Sequence, residues 1–265
     1  TGLIIAPRTN MDRLNRFTWS RKKKHWRRPL QIVTSSRWLG DCVRESDLMR
    51  HWPVDVIPYP IDITKWRPIE QRTARELLGF PLSGKVVLFG AVGGGSDLRK
   101  GFDLLIQGIT AVRKMRDDFH LVVFGQQEPE NSPDFGFPVR YAGRLYDDIS
   151  LSMLYSAADV MVVPSKQEAF GQTALEAHAC GTPVVAFRVG GLVDIIHHKE
   201  TGYLADPFSP TDLAAGVNWV LTNSDFRGLR IQCVKYAKQL SEPSVVASAY
   251  LEVYNRVLDR HKAVA

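Results

Sequence analysis

The sequence predicts an α/β protein built on a doubly wound parallel sheet. From residue 85 onward, short β-branched runs alternate with longer segments in which apolar residues recur at helical spacing. The short runs are apolar throughout, which is typical of parallel strands covered by helices on both faces. Right-handed crossovers then place the ligand crevice beyond the carboxyl ends of the strands.

Each element of this sheet follows from a local pattern. Strands are predicted over residues 86–90, 120–124, 139–142, 160–163 and 184–187. Helices are predicted over 102–115, 148–158, 172–180, 212–221, 225–240 and 244–260. Asp147 and Asp148 are suited to cap the second of these helices. Gly181 and Pro183 end the third, because glycine is favoured just past a helix end and proline cannot continue the helix.

The region before residue 66 has a different pattern. Only 32–33 and 56–57 are predicted as strands, with a helix over 37–44 between them. This single βαβ unit is too small for a core of its own. Prolines then crowd the chain, as they do in a hinge or linker: Pro53, Pro58, Pro60 and Pro68.

The composition is that of a globular protein in a reducing compartment. The 265 residues are 45% hydrophobic and 23% charged, which is enough to bury a sizeable core. No apolar stretch approaches the roughly 18 residues that cross a bilayer, and the first residues lack a signal-peptide pattern. The three cysteines are far apart, which argues against a disulfide framework. We expect a cytoplasmic location, either free or peripheral at the inner membrane face.

A basic run at residues 21–28 holds six Lys and Arg, in a chain of net charge +6. The simplest interpretation is a solvated loop or helix face. Contact with an anionic membrane is the second, because each basic residue near such a leaflet contributes about 1 kcal/mol. Nucleic acid comes third and is not expected, since no groove-reading motif accompanies the run. Four tryptophans are predicted to be packing residues: Trp19, Trp26, Trp38 and Trp66.

Two carboxylates, Glu168 and Glu176, bracket a glycine at a predicted loop-to-helix junction. The helix would begin near residue 172, so the first backbone N–H groups have no intrahelical acceptor and form a phosphate site. These donors belong to Phe170, Gly171, Gln172 and Thr173. Glu176 lies about one turn inside the helix, where a carboxylate can bind a ribose diol. Glu168 faces the group beyond the phosphates, so the pattern predicts a nucleotide-sugar site.

Two glycine clusters follow predicted strands. The first, Gly93, Gly94 and Gly95, lacks the register of a dinucleotide or Walker loop. It leads to Arg99 and Lys100, and two cations at the mouth of a strand can neutralise a diphosphate leaving group. A solvated loop is the alternative. The second cluster, Gly190-Gly191, is either an ordinary strand–helix turn or a backbone cradle for sugar or phosphate, and we favour the cradle.

No metal or cofactor is expected. His197-His198 has no cysteine or acidic partner at ligand spacing, which favours a surface turn. No Asp-x-Asp occurs in the chain, so the carboxylate pair that commonly holds a divalent cation at a sugar nucleotide is absent.

The segment 165–191 resembles the retaining group 1 glycosyltransferases (family 4), which have the two-domain GT-B fold. Their signature is a Glu-x7-Glu motif opening a helix, then Ala-x-Ala-x-Gly-x-Pro-Val-Val and a Gly-Gly turn. It is matched here by Glu168, Glu176, residues 177–185 and Gly190-Gly191. Further matches are residues 100–102, 143, 154–160 and 202–204, and 57–62 resembles the interdomain motif with Pro60 in place of a glycine. The resemblance covers about residues 30 to 225.

The resemblance implies roles for the matched residues. Glu168 would contact the donor sugar, Glu176 the nucleotide ribose, and Lys100 the diphosphate. The family's arginine, a few residues before that lysine, has no counterpart here, and Arg99 is the candidate substitute.

The connection after the strand at 139–142 would lie beside the nucleotide base, with backbone contacts at Arg144 and Leu145. The family normally needs no metal. The implied activity is hexosyl transfer with retention from a nucleoside-diphosphate sugar to a glycan or lipid-linked acceptor, as in polysaccharide biosynthesis.

Such enzymes have a full N-terminal domain before the linker, where this chain has about 65 residues. The resemblance therefore implies three parts. Residues 1–66 would be a remnant of the acceptor-side domain with the linker, 67–240 the nucleotide-sugar domain, and 241–265 a helix that returns to brace the first domain. On this interpretation the chain is truncated and incomplete for activity.

Two alternatives stay open. One is a non-catalytic module in which the donor fold serves interaction and the basic run binds a membrane or nucleic acid. The other is a sugar-nucleotide epimerase or phosphorylase of the same fold.

Overall fold

The computed structural model describes residues 11–90, 97–129 and 139–262, and its centre is a six-stranded parallel sheet. Along the sheet the strands lie in the order β5-β4-β3-β6-β7-β8. They are β3 (Lys85–Gly90), β4 (Phe119–Phe124), β5 (Val139–Gly143), β6 (Val160–Val163), β7 (Val184–Phe187) and β8 (Gly202–Ala205). This order confirms the predicted doubly wound α/β fold.

Alternate side chains of each strand enter two separate cores. Val86 and Leu88 of β3 belong to one cluster, whereas Val87 and Phe89 belong to the other. The first core is covered by α3 (Gln71–Leu78), α5 (Asp148–Ala157), α6 (Gln172–Ala179) and α9 (Phe226–Ser241). The second is covered by α4 (Phe102–Met115) and α8 (Pro210–Leu221). Strands buried on both faces explain why their sequences are apolar throughout.

The strand order reverses between β3 and β6, which are hydrogen-bonded neighbours in the sheet although they are far apart in sequence. From β3 the chain winds outward through β4 to β5, and from β6 it winds the other way through β7 to β8. At such a reversal the loops that follow the two strands diverge and leave a crevice. The loops after β3 and β6 therefore hold the residues of most interest.

A second, two-stranded parallel sheet lies in the first part of the chain. It comprises β1 (Ile32–Thr34) and β2 (Val54–Val56), joined through α2 (Arg37–Glu45). The last helix, α10 (Pro243–Lys262), packs Val246 and Val253 around Ile57, which directly follows β2. Arg256 of α10 also pairs with Asp55 of β2 at 2.7 Å. The division at residues 66 and 240 stays a prediction.

Three elements were not predicted from the sequence: α1 (Met11–His25), α3 and β8. Helix α3 is short, and a buried ion pair fixes it to the sheet, with Arg75 donating to Asp159 at 2.5 Å. Asp159 also accepts the backbone N–H of Val86 at 2.6 Å. A local sequence pattern does not reveal an ion pair between residues so far apart in the chain, which explains why α3 was not predicted.

The prediction for the tryptophans was partly wrong. Trp66 is buried and packs against Tyr155, but Trp19 and Trp26 are about two-fifths exposed, at 40% and 41%. Both lie on or just after α1, whose described side chains are all exposed. Among the described residues, no helix combines the length and apolar character that crossing a bilayer requires.

Candidate functional site

Lys100 and Glu168 meet at the point where the strand order reverses. Lys100 lies on a 3-10 turn (Leu98–Lys100) after β3, and Glu168 lies in the loop after β6. The Lys100 Nζ donates to Glu168 Oε2 at 2.8 Å, and the Ser165 hydroxyl donates to the same oxygen at 3.3 Å. Both side chains are partly buried, which strengthens their attraction relative to a surface pair. The sequence predicted both residues, and the structure brings them together.

The backbone around Lys100 is held by the loop after β6. The N–H of Lys166 donates to the Arg99 carbonyl at 2.7 Å. Gly101 has a φ of 66°, and a Cβ there would overlap the Pro164 carbonyl oxygen. Only glycine fits this approach. The ammonium of Lys100 is thus fixed relative to the loop that carries Glu168.

Gly190 and Gly191 hold the other side of the Glu168 loop. The Gly191 N–H donates to the Glu168 carbonyl at 2.9 Å. Gly190 has a φ of 54°, and a Cβ there would overlap the same carbonyl oxygen. The Gly191 N–H therefore already has an acceptor within the protein, and a ligand cradle at Gly190-Gly191 stays a prediction. In the structure the two glycines shape the loop.

Helix α6 begins at this loop without a side-chain cap. Its N-cap is Gly171, with a φ of 107° and no side chain to accept from the first turn. The first N–H groups of a helix have no intrahelical acceptor, and here these belong to Gln172 and Thr173. The Phe170 ring is 3% exposed and packs edge-on against Tyr59 at 5.2 Å. Any contact of Phe170 with a ligand would therefore be made by its backbone N–H, the group that the sequence prediction named.

Glu176 lies one turn inside α6 and is partly buried. It accepts a hydrogen bond from the Tyr155 hydroxyl at 3.0 Å. Burial raises the pKa of Glu176 to about 7, although hydrogen bonds from Tyr155 and Gln172 act in the opposite direction. Near neutral pH this carboxyl therefore exists in both protonation states, and it shares a helix face with Gln172 four residues earlier.

Arg99 is engaged elsewhere. Its guanidinium binds both carboxylate oxygens of Asp97, at 3.0 and 2.9 Å. This pairing raises the pKa of Arg99 and lowers that of Asp97. The side chain is 73% exposed, and its pair with Asp97 uses only Nε and Nη2 of the five-donor guanidinium. The role of substitute for the family's arginine stays a prediction.

The other predicted residues lie on the β5 side of the sheet or outside the described chain. Gly143 ends β5 with a φ of 68°, and Arg144 after it is exposed. Leu145 packs against the first core, so its side chain is structural. Gly94 and Gly95 fall outside the described residues.

His197 and His198 have structural partners. The ring of His197 stacks on Tyr236 at 4.2 Å, and His198 Nδ1 accepts the Leu204 N–H at 3.1 Å. Among the described side chains no group of three His, Cys, Asp or Glu could hold a metal ion. That the site works without a metal stays a prediction.

Sequence reasoning missed three residues that act on the site. The Ser36 hydroxyl donates to the Ala169 carbonyl, next to Glu168, at 2.6 Å. Asp194 accepts from the backbone N–H and the Nε of Arg37 at 2.7 and 2.6 Å, and Asp194 belongs to the short helix α7 (Leu192–Ile195) that follows Gly191. The third is Tyr155. For Ser36, the sequence offered one signal only, namely a polar residue two positions after the end of β1.

A family profile described as "Glycosyl transferases group 1" matches residues 79–240. D-inositol 3-phosphate glycosyltransferase from Acidothermus cellulolyticus is 36% identical over 221 residues, which are 77% of this chain and 46% of that protein. The protein of the same name from Xylanimonas cellulosilytica is 32% identical over 257 residues, 88% of this chain and 60% of that protein. The chain thus spans about half the length of these relatives.

Solved structures show the same fold. Sucrose-phosphate synthase from Thermosynechococcus elongatus superposes with a TM-score of 0.76 at 24% identity, covering 96% of this chain and 65% of that one. Anabaena Alr3699/HepE, solved in complex with UDP-glucose, gives 0.66 at 19% identity, covering 84% and 63%. At these identities the likeness concerns the fold alone.

Proposed function

The chain belongs to the group 1 glycosyltransferases, and from this premise we propose that it binds a nucleoside-diphosphate sugar and supports transfer of the sugar, a hexose, to a glycan or lipid-linked acceptor. One observation carries the proposal: Lys100 and Glu168 meet at 2.8 Å where the strand order reverses, beside the uncapped start of α6. Because the chain spans about half of its relatives, the activity of the whole protein is part of the proposal.

The diphosphate would bind between Lys100 and the start of α6. The N–H groups of Gln172 and Thr173 and the positive end of the helix dipole favour an anion there. Lys100 supplies a full positive charge and would exchange its present partner, Glu168, for the phosphates. In transfer, the bond between the anomeric carbon and the phosphate oxygen breaks, and these groups stabilise the negative charge that grows on the leaving diphosphate.

The sugar and the ribose would lie on opposite sides of the phosphates. Glu168, once released by Lys100, can accept hydrogen bonds from sugar hydroxyls, and Glu176 can accept them from the ribose diol. The acceptor hydroxyl would attack the anomeric carbon on the face that the diphosphate leaves, forming the new glycosidic bond with retention. Its proton would pass to the departing phosphate, so no metal and no covalent nucleophile are required.

Isothermal titration with UDP and UDP-glucose tests the roles of Glu168 and Glu176. The difference between the two affinities measures the contribution of the sugar to binding. Glu176→Ala should weaken both ligands about equally, by roughly tenfold or more, since a hydrogen bond to a charged group contributes about 1.5–3 kcal/mol. Glu168→Gln should bind UDP at least as tightly as the wild type, because Lys100 loses its competing carboxylate. It should lose the additional affinity for UDP-glucose.

Glu200→Gln is the matched control, since Glu200 bonds Tyr236 through its side chain away from this loop. GDP, ADP and their glucose conjugates repeat the titration for the other bases. Unaltered UDP affinity in Glu176→Ala would contradict the ribose assignment. No affinity for any nucleotide would favour a non-catalytic module instead.

A further inference from the structure

Helix α1 and the residues directly after it concentrate positive charge in one part of the molecule. Residues 13–28 contain eight Lys and Arg and no Asp or Glu, whereas the whole chain has a net charge of +6. The rest of the chain is therefore net negative. The cations are Arg13, Arg16, Arg21, Lys22, Lys23, Lys24, Arg27 and Arg28. Such segregation creates a strong local positive field rather than an evenly solvated surface.

These cations have no carboxylate partner among the described side chains. Fourteen ion pairs occur in that part of the chain, and none of them involves residues 13–28. Every side chain described in this segment is exposed. The positive charge is thus available to an external anionic surface.

Apolar side chains lie among the cations and are exposed with them. Leu14 is 66% exposed, Phe17 59% and Leu30 61%. Trp19 and Trp26 are also exposed, and lysines lie over both rings, Lys23 Nζ at 4.8 Å from Trp19 and Lys22 Nζ at 5.0 Å from Trp26. Aromatic rings flanked by Lys and Arg are the composition of helices that lie in a membrane interface, where the rings enter the headgroup region and the cations meet lipid phosphates.

The surface is attached to the body of the protein at one end. Trp26 packs against Trp52, just before β2, with ring centroids 5.7 Å apart. The chain then enters β1, where the Ile32 N–H donates to the Pro53 carbonyl at 2.9 Å. A helix held at its carboxyl end and exposed along its length can lie on a flat surface while the sheets remain in water.

We propose that residues 13–30 form a docking surface for a bilayer rich in anionic lipid. The charge fits a lipid headgroup layer, and the exposed aliphatic side chains distinguish a bilayer from nucleic acid. The aliphatic side chains of Leu14 and Leu30 cannot stack on nucleic-acid bases. Burying them at the boundary of the acyl chains, in contrast, is favourable because it removes apolar surface from water. Each basic residue near an anionic leaflet strengthens binding by roughly fivefold, so several together suffice for peripheral attachment.

Sedimentation of the full chain with phosphatidylglycerol-containing vesicles and with pure phosphatidylcholine vesicles tests this proposal. We expect binding to the first and little to the second, with affinity falling as salt rises. The variant R21Q/K22Q/K23Q/K24Q should bind the anionic vesicles at least about 100-fold more weakly. The control K114Q/R227Q/K235Q/K262Q removes the same charge from exposed positions on other helices and should retain nearly all of the binding.

A second variant, L14S/F17S, keeps every charge and tests insertion. It should bind weakly at high salt and lose the blue shift of tryptophan emission that vesicles induce in the wild type. Because α1 contributes no residue to the three hydrophobic clusters, both variants should keep the wild-type melting temperature. Equal binding to both vesicle types, equal loss in the control, or tight binding to single-stranded homopolymers without vesicle binding would each overturn the proposal.

Discussion

At the scale of single residues, the half-buried carboxyl of Glu176 couples the site to pH. Its pKa in the folded protein is about 7, against an ordinary value of 4.5. Below pH 4.5 both the folded and unfolded states hold the proton. Between pH 4.5 and 7 the unfolded state releases it first, so the free energy of unfolding falls as pH rises through this window.

Glu176→Gln removes this titration while keeping the size of the side chain. We expect the variant to gain stability relative to the wild type from pH 4.5 to 7, by at most about 3 kcal/mol at about 1.4 kcal/mol per pKa unit. Urea unfolding of both proteins at matched pH values measures the difference, in which the other titrating groups cancel. A difference that is constant across this window would show that the pKa of Glu176 is not raised.

Sequence reasoning located Lys100, Glu168 and Glu176 because their spacing is set within single loops and helices. It could not foresee their contacts. Tyr155, the hydrogen-bond partner of Glu176, is 21 residues away on another helix. The partners of a charged side chain depend on the assembled tertiary structure, which explains why the identities were predictable and the interactions were not.

At the scale of elements, the loops that join strands and helices contain glycines that differ in their surroundings. Gly190 and Gly79 both have left-handed φ angles, 54° and 63°. A Cβ at Gly190 would overlap the Glu168 carbonyl, whereas one at Gly79 would meet only Arg140 side-chain nitrogens at 3.8 Å. Alanine substitutions at the two positions therefore distinguish the cost of backbone strain alone from the cost of strain together with steric overlap.

Gly79→Ala should lower the free energy of unfolding by about 1–2 kcal/mol, the cost of a left-handed alanine. Gly190→Ala should cost about 1–3 kcal/mol more, because the loop must move away from its neighbour. It should also weaken UDP-glucose binding, since Glu168 moves with its carbonyl. Urea unfolding and calorimetric titration measure the two effects. Equal behaviour of the two variants would mean that the loops adjust without cost.

The elements that sequence reasoning found are those with a pattern of their own. Helix α4 was predicted over the observed residues, and β6 and β7 were as well, because helical spacing or an unbroken apolar run marks each one. Helix α3 has one-sided apolar spacing and Gly79 directly past its end, but it spans only eight residues, and strand β8 begins at a glycine. Their stability comes from contacts with distant parts of the chain, Arg75 with Asp159 and β8 with β7.

At the scale of the whole molecule, two contacts join the region of the small β1–β2 sheet to the Glu168 loop and to helix α7 nearby. Ser36, fully buried after β1, donates to the Ala169 carbonyl at 2.6 Å and accepts the Leu39 N–H at 3.2 Å as the N-cap of α2. Arg37 pairs with Asp194 of α7, which follows the glycines that support Glu168. The position of Glu168 thus depends on both sheets, although the residue belongs to the larger one.

Ser36→Ala should therefore lower both the stability of the protein and its affinity for UDP-glucose. The matched variant Ser209→Ala should lower only the stability. Losing the cap and leaving the Ala169 carbonyl without its donor should lower the free energy of unfolding by about 1–3 kcal/mol. Ser209→Ala removes a comparable cap from α8, where Ser209 accepts the Asp212 N–H at 3.2 Å, and should cost about 1 kcal/mol. Only Ser36→Ala should also reduce the affinity for UDP-glucose relative to UDP, because the loop that positions Glu168 loses its anchor to the β1–β2 sheet. Urea unfolding and titration of both ligands measure these effects. An unchanged ratio of the two affinities in Ser36→Ala would show that the smaller sheet does not position Glu168 for the sugar.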